Sequence, residues 1–294
     1  MDCVVFLFGE ICVELRHYHQ SNPSFPCCAL RSFSEGWEKG NPEFTPLTLD
    51  SRFRGNDGKG GMTKQKNNMK KNLLIVLEGG DGSGKATQSK LLLEYLKKLN
   101  HVSYFDFPQY GQNVFGTLTG RCLKGDFGDF LHMSPYLSSL PYILDRACAK
   151  DNIISRLKRG HVVCNRYTPS NVGFQSAKIS NKKEREELIQ FLEQGEYEEI
   201  GLPRPDVVLY LDVPRDVASA LVLKKDERAY LGAKKAKDQH ENDLTFQEKV
   251  SEVYKILTKK RKGWHIVSCA KNGHILPVAT IHNKIISILK QYTS

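Results

Sequence analysis

Residues 73–88 read LLIVLEGGDGSGKATQ, and this stretch decides the fold. Its first six residues are apolar apart from the closing Glu78, the pattern of a strand buried on both faces in a parallel sheet. Gly79, Gly84 and Lys85 then satisfy G-x-x-x-x-G-K. Glycines in that pattern let successive backbone N–H groups turn toward one anion. The helix that follows adds its positive N-terminus, and the lysine adds a mobile charge for β and γ phosphates. Gly79, Gly80, Asp81, Gly82, Ser83, Gly84, Lys85, Ala86 and Thr87 are therefore the expected ATP-binding residues. One position departs from the usual loop: the residue after the lysine is Ala86, which has no hydroxyl to ligate Mg2+, and Thr87 stands one place late.

Outward from this loop, short apolar runs alternate with amphipathic segments, which predicts an α/β fold with a parallel sheet and helices on both faces. Strands are expected at 73–78, 102–106, 161–164, 207–212 and 265–268, and helices at about 135–158, 183–194, 244–260 and 277–291. Leu92, Tyr95, Leu96 and Leu99 are expected on one inward helix face. Residues 1–68 differ in character: Pro, Gly, Ser and Asn interrupt every candidate element, and eight basic residues balance eight acidic ones. They are read as a disordered or spurious extension, and the stretch NPEFTPLTLDSRFRGNDGKGG resembles the translation of a repeated bacterial intergenic element. Met62 or Met69 is then the natural start, and 69–294 the folded domain.

The chain of 294 residues carries 43 Lys/Arg against 33 Asp/Glu, a net charge of +10, so the whole excess lies beyond residue 68. Phosphorylated small molecules account for that charge without a nucleic-acid partner, for which no recognition motif is present. No apolar run approaches the roughly 18 to 20 residues of a membrane span, and no export signal is read. The eight cysteines show no C-x-x-C pair, and with His17 and His19 the pair Cys27 and Cys28 lies in a segment with no evident fold. A cytoplasmic, reduced setting without membrane contact is expected.

Six motifs in order, DGSGKATQ (81–88), FPQYG (107–111), LDRA (144–147), NRYTPSN (165–171), LPRPD (202–206) and KDQHE (237–241), resemble those of thymidylate kinases. The resemblance spans about residues 72–291 and implies the P-loop nucleoside monophosphate kinase fold, phosphorylation of dTMP to dTDP by ATP with Mg2+ as cofactor, and a homodimer. It places Arg146 and Arg166 on the acceptor phosphate and Asp81 beside the acceptor's sugar and phosphates. Tyr142, one helical turn before Arg146, would stack on the base, with Phe107 and Tyr110 closing the pocket. Asn171 would bond the base edge, and Phe174 would lie against the 2′ carbon. The stretch 224–241, with six Lys/Arg, matches a lid over ATP. Lys235, Lys237 and Arg228 are its candidate catalytic cations, alongside Lys85, Arg166 and Asp81, while Asp238 and His240 would approach the acceptor nucleotide.

A second departure is Asn165, where many relatives have Asp. An amide can hold metal-bound water but brings no charge, so Asn165→Asp is expected on sequence alone to lower the Mg2+ requirement. Two other readings stay open. A deoxynucleoside kinase of the same fold would need a base at a sugar hydroxyl rather than two acceptor-phosphate arginines. A regulatory module with weakened catalysis would suit Ala86 and Asn165 but not Lys85, both arginines and the basic 224–241 stretch.

Overall fold

The computed structural model describes residues 71–214, 217 and 244–293. The expected extension at 1–68, the 224–241 stretch, and with it Arg228, Lys235, Lys237, Asp238 and His240, lie outside the described residues.

Strand β1 (Leu74–Glu78) is buried at every residue and occupies the middle of a five-stranded sheet. On one side it pairs with β3 (His161–Asn165), which in turn pairs with β2 (Val102–Asp106); on the other lie β4 (Val207–Asp212) and β5 (Trp264–Ser268). All four pairings are parallel, with Leu77 opposite Asn165 on one side and Leu209 on the other. The expected strands thus appear within a residue at each end.

Alternation along β1 explains the layers. Ile75 and Leu77 pack with Leu92 and Leu96 of α1 (Lys85–Lys97) and with Ile281, Ile285 and Leu289 of the C-terminal helix. Leu74 and Val76 face the other way, against Ala149 and Ile153 of α3 (Pro135–Arg159). Each such Leu or Ile contributes about 1.5–3 kcal/mol by leaving water, so the central strand alone commits both faces to helices. Because the chain runs from β1 to β2 on one side of the sheet and from β3 across to β4 on the other, the crevice at the carboxyl end of β1 is where a ligand belongs.

Leu99 departs from its expected inward face. The helix ends at Lys97, the chain turns, and Leu99 is 57% exposed. Four elements were not read from the sequence. Helix α2 (Val114–Lys124) starts on Asn113, whose side chain accepts the Gly116 N–H and so caps it. Helix α4 (Thr168–Ser176) opens directly after Tyr167, with Pro169 in its first turn. The third is a π-helical turn, Gln194–Glu199, into which the expected helix at 183–194, α5 (Lys182–Glu193), runs on. The fourth is a hairpin, β6 (Ala270–Lys271) and β7 (His274–Ile275), which closes on Asn272 and Gly273, both at positive φ.

Helix α6 (Leu244–Lys260) buries Phe246, Val250, Val253, Tyr254 and Leu257, the stripe its periodicity predicts. Helix α7 (Val278–Thr293) closes the domain on the Leu92 and Leu96 face. Among the described residues no helix is long and apolar enough to cross a membrane.

Candidate active site

The loop between β1 and α1 is built from its glycines. Gly79 has φ 151°, and a Cβ there would stand 2.6 Å from the Ser83 Oγ and 2.9 Å from the Leu211 carbonyl oxygen. Gly84, at φ 86°, ends the loop in the left-handed region, and α1 begins at the next residue with no side-chain cap. The first-turn N–H groups are thereby left to an anion. Lys85 is buried and donates its Nζ to the carbonyls of Gly79 (2.9 Å) and Gly80 (2.8 Å), so the loop is folded around the lysine. Ala86 and Thr87 are both exposed on that first turn.

Beside the loop, at the carboxyl ends of β1 and β3, opens a cleft. Its lining gathers Asp81, Phe107, Tyr110, Tyr142, Arg146, Arg166, Asn171 and Phe174, residues the sequence spreads over 94 positions from 81 to 174. Ser170 and Gln175, which the sequence reading passed over, also line it.

Arg166 joins the cleft to the phosphate loop. Its Nη2 donates to the Asp81 Oδ1 at 2.8 Å, and its guanidinium lies 5.0 Å over the Phe174 ring. Phe174 is otherwise packed against Phe246. Phe107 is buried, stacked with Phe105 and tilted against Tyr167, so it is at once a core aromatic and a cleft wall. Asp145 of the LDRA motif is buried and accepts from the Gln109 N–H (2.9 Å) and the Asn113 Nδ2 (2.6 Å). Burial raises its pKa while those bonds oppose the rise, and the carboxylate thereby pins the loop that carries Phe107 and Tyr110.

Arg146, expected on the acceptor phosphate, has a carboxylate partner here. It is 2% exposed and forms a two-point pair with Glu196 of the π-helical turn, Nε to Oε2 at 2.6 Å and Nη2 to Oε1 at 2.9 Å. The Asn171 Nδ2 also donates to Glu196 Oε1, at 3.1 Å. Since a carboxylate oxygen only accepts, this bond fixes the orientation of the Asn171 amide, and its Oδ1 is left buried without a partner. Glu196 was missed from sequence because it stands in an acidic, turn-rich stretch, EQGEYEE, where any one carboxylate looks solvated.

Asn165 was expected near metal-bound water. The structure joins it to Asp106, also passed over, at the end of the neighbouring strand: Asn165 Nδ2 donates to Asp106 Oδ1 at 2.8 Å. Asn165 is 9% exposed, and its own Oδ1 is buried without a partner. Burial raises the Asp106 pKa, while the Asn165 bond and the positive charges of Arg166 and Lys85 oppose the rise. The carboxylate absent from position 165 is thus present one strand away.

A parallel sheet with a phosphate-binding loop at its central strand, and an arginine-bearing cleft beside that loop, defines a P-loop phosphotransferase of the nucleoside monophosphate kinase fold. A sequence model of the family described as Thymidylate kinase matches residues 77–280. The chain is 31% identical over 195 residues to the thymidylate kinase of Mycobacterium tuberculosis, covering 65% of this chain and 87% of that protein. It is also 27% identical over 224 residues to a probable thymidylate kinase of Thermococcus kodakarensis, covering 74% of this chain and 97% of that one. This chain belongs to the thymidylate kinase family. A solved thymidylate kinase structure from Candida albicans superposes with a TM-score of 0.59 at 22% identity, over 75% of this chain and 92% of that one, a likeness of fold.

Proposed function

We propose that this chain transfers the γ-phosphoryl group of ATP to dTMP, giving dTDP and ADP, with the acceptor held in the cleft beside the phosphate loop. The observation that carries this reading is the Arg166–Asp81 contact, which brings the acceptor side and the ATP loop to one point. In the reaction an oxygen of the dTMP phosphate attacks the γ phosphorus in line as the bond to the β,γ-bridging oxygen breaks. The chain's part is positioning and charge. Lys85 and the loop N–H groups hold the donor phosphates, and Arg166 turns its guanidinium from Asp81 to the acceptor phosphate. A deoxynucleoside kinase would leave Arg166 without a phosphate partner, which favours the monophosphate as acceptor.

Arg146 and Asn171 suit the base rather than a phosphate. Glu196 already balances the Arg146 charge, so the remaining guanidinium N–H groups fit a neutral carbonyl, while the unpaired Asn171 Oδ1 fits an adjacent ring N–H. Thymine offers that carbonyl and N–H side by side. Cytosine offers an amino group and a bare ring nitrogen, which reverses both contacts. A coupled ADP-release assay with dTMP, dCMP, dUMP and thymidine tests the reading. With about 1–3 kcal/mol for each buried group left unpaired, kcat/KM for dTMP should exceed that for dCMP by about a hundredfold or more. Asn171→Ala should narrow the ratio. Equal use of both, or turnover with thymidine alone, refutes it.

For Mg2+, among the described residues no three His, Cys, Asp or Glu side chains are grouped to grip an ion unaided. The donors that fit are the Asp106 carboxylate and the buried, unpaired Asn165 Oδ1 beside it, with Asp81 in the loop. They would hold the ion through its water, and the ion would offset charge on the β and γ phosphates. The Asn165–Asp106 bond argues against the lower Mg2+ requirement that sequence alone suggests for Asn165→Asp. A second carboxylate there meets Asp106 at hydrogen-bond distance, so the pair shares a proton instead of gaining a full charge. Half-saturating Mg2+ at fixed ATP should stay within about twofold of wild type, since the charge added is small. A large fall in a Mg2+ titration would show the two carboxylates acting independently.

A further inference from the structure

Arg166 is displayed on an unusual backbone. It has φ 63°, the left-handed region that a side chain with a Cβ adopts only when its surroundings hold it there. Its own N–H donates to the Leu77 carbonyl at 3.0 Å, which ties the turn to β1. The next residue of β1 completes the hold. Glu78 is fully buried, and its carboxylate accepts from the Tyr167 N–H on Oε1 (3.0 Å) and from two hydroxyls on Oε2, Ser170 (2.6 Å) and Tyr254 (2.8 Å). Tyr167 immediately follows Arg166, and Ser170 lies in the first turn of α4, whose later residues Asn171 and Phe174 line the cleft.

The third donor comes from α6, far away in sequence and outside the cleft lining. Tyr254 is fully buried, with its ring stacked on Tyr210 of β4 at 4.5 Å. Helix α4 rests on that ring through Gly173: a Cβ there would come within 2.7 Å of the Tyr254 Cε2 and Cζ and 3.0 Å of its hydroxyl. The hydroxyl is therefore clamped between the α4 backbone and the Glu78 carboxylate. Burial pushes the Glu78 carboxyl up from its ordinary pKa, and the nearby positive charge of Arg166 works against that rise. The charge of Lys85 works in the same sense more weakly, while the three hydrogen bonds to the Glu78 carboxylate come from Tyr167, Ser170 and Tyr254.

We propose that Glu78 and Tyr254 are positioning residues for phosphoryl transfer: the Tyr254 hydroxyl fixes the buried Glu78 carboxylate, which holds the Arg166–Tyr167 turn and the start of α4 in the geometry that presents Arg166 to the acceptor phosphate. The proposal rests on the reading of the cleft as the dTMP site. It is specific to the acceptor half, because both residues act through Arg166 and α4.

The test is a double-mutant cycle on the full chain. Tyr254→Phe removes one hydroxyl and keeps the stacked ring. It should lower kcat/KM for dTMP by about fivefold, the worth of one hydrogen bond, with KM for ATP within twofold of wild type. Glu78→Gln, whose amide can still accept from Tyr167 through one oxygen, should have a larger effect in the same direction. In an Arg166→Ala background Tyr254→Phe should change kcat/KM for dTMP by less than about twofold, because the residue it positions is gone. A merely structural tyrosine would give factors that multiply across the two backgrounds and affect ATP and dTMP alike, and either result overturns the proposal. Multiplying factors in an enzyme that turns over dTMP refute the positioning alone. A wild-type chain without dTMP-dependent turnover refutes the cleft assignment, and the proposal with it.

Discussion

Arg166→Ala should cut kcat/KM for dTMP by about one to two orders of magnitude while leaving KM for ATP within about twofold, because a charge-assisted bond to phosphate is worth about 1.5–3 kcal/mol. The split follows from where the side chain sits. Its guanidinium reaches Asp81 at the rim of the phosphate loop and stacks on Phe174 in the cleft, whereas the Lys85 Nζ donates to the loop carbonyls of Gly79 and Gly80. Arg166→Lys should recover little, since an ammonium cannot reproduce the planar fork of donors or the stacking on Phe174. Alanine also removes the Arg166 contact from the Asp81 carboxylate at the rim of the phosphate loop. Part of the loss should therefore appear in kcat. Steady-state kinetics with each substrate varied in turn decides the matter: a rise in KM for ATP with unchanged acceptor kinetics would place Arg166 on the donor side.

How far the sequence carried depends on what kind of signal each residue leaves. The five strands and the phosphate loop were legible because burial on both faces writes continuous apolar runs, and because the loop needs Gly where φ is positive. Helix α4 was hidden since every residue from Thr168 to Ser176 apart from Val172 and Phe174 is polar, small or proline by type, yet eight of the nine are buried. Its burial comes from packing on Tyr254 and from hydrogen bonds to Glu78 and Glu196, which no periodicity records. The same holds for the three buried carboxylates. Glu78 ends an apolar strand and reads as the strand's polar stop. Asp106 reads as one more polar residue in VSYFD, and Glu196 as one of four glutamates between 193 and 199. Each takes its role from a partner 50 or more positions away: Tyr167 and Tyr254 for Glu78, Asn165 for Asp106, Arg146 for Glu196. Family motifs brought Arg146 to notice, but only the structure shows that its guanidinium is paired with Glu196.

That pair gives the largest expected effect on stability. Glu196→Ala strands the Arg146 charge in the interior and removes the acceptor of the Asn171 amide, and breaking a buried pair from one side costs about 3–5 kcal/mol. Both partners are almost fully enclosed, with side chains 2% and 1% exposed, so water cannot replace the lost carboxylate. Glu196→Gln should cost less, because one oxygen remains to accept from the guanidinium. Equilibrium urea unfolding of the variants measures these costs, and a Glu196→Ala chain within about 1 kcal/mol of wild type would show that the site relaxes to admit water. Stability and recognition can then be separated by removing both charges. Arg146→Met with Glu196→Leu leaves no buried ion behind, and apolar replacement of a whole pair is commonly neutral or stabilising. The double variant should therefore recover most of the stability lost in Glu196→Ala. It should not recover dTMP use: the guanidinium N–H groups that face the cleft are gone, and the Asn171 amide is free to turn its nitrogen toward the base. A stable double variant with wild-type selectivity for dTMP over dCMP would mean that the Arg146–Glu196–Asn171 triangle serves folding alone and that the base is read by other groups.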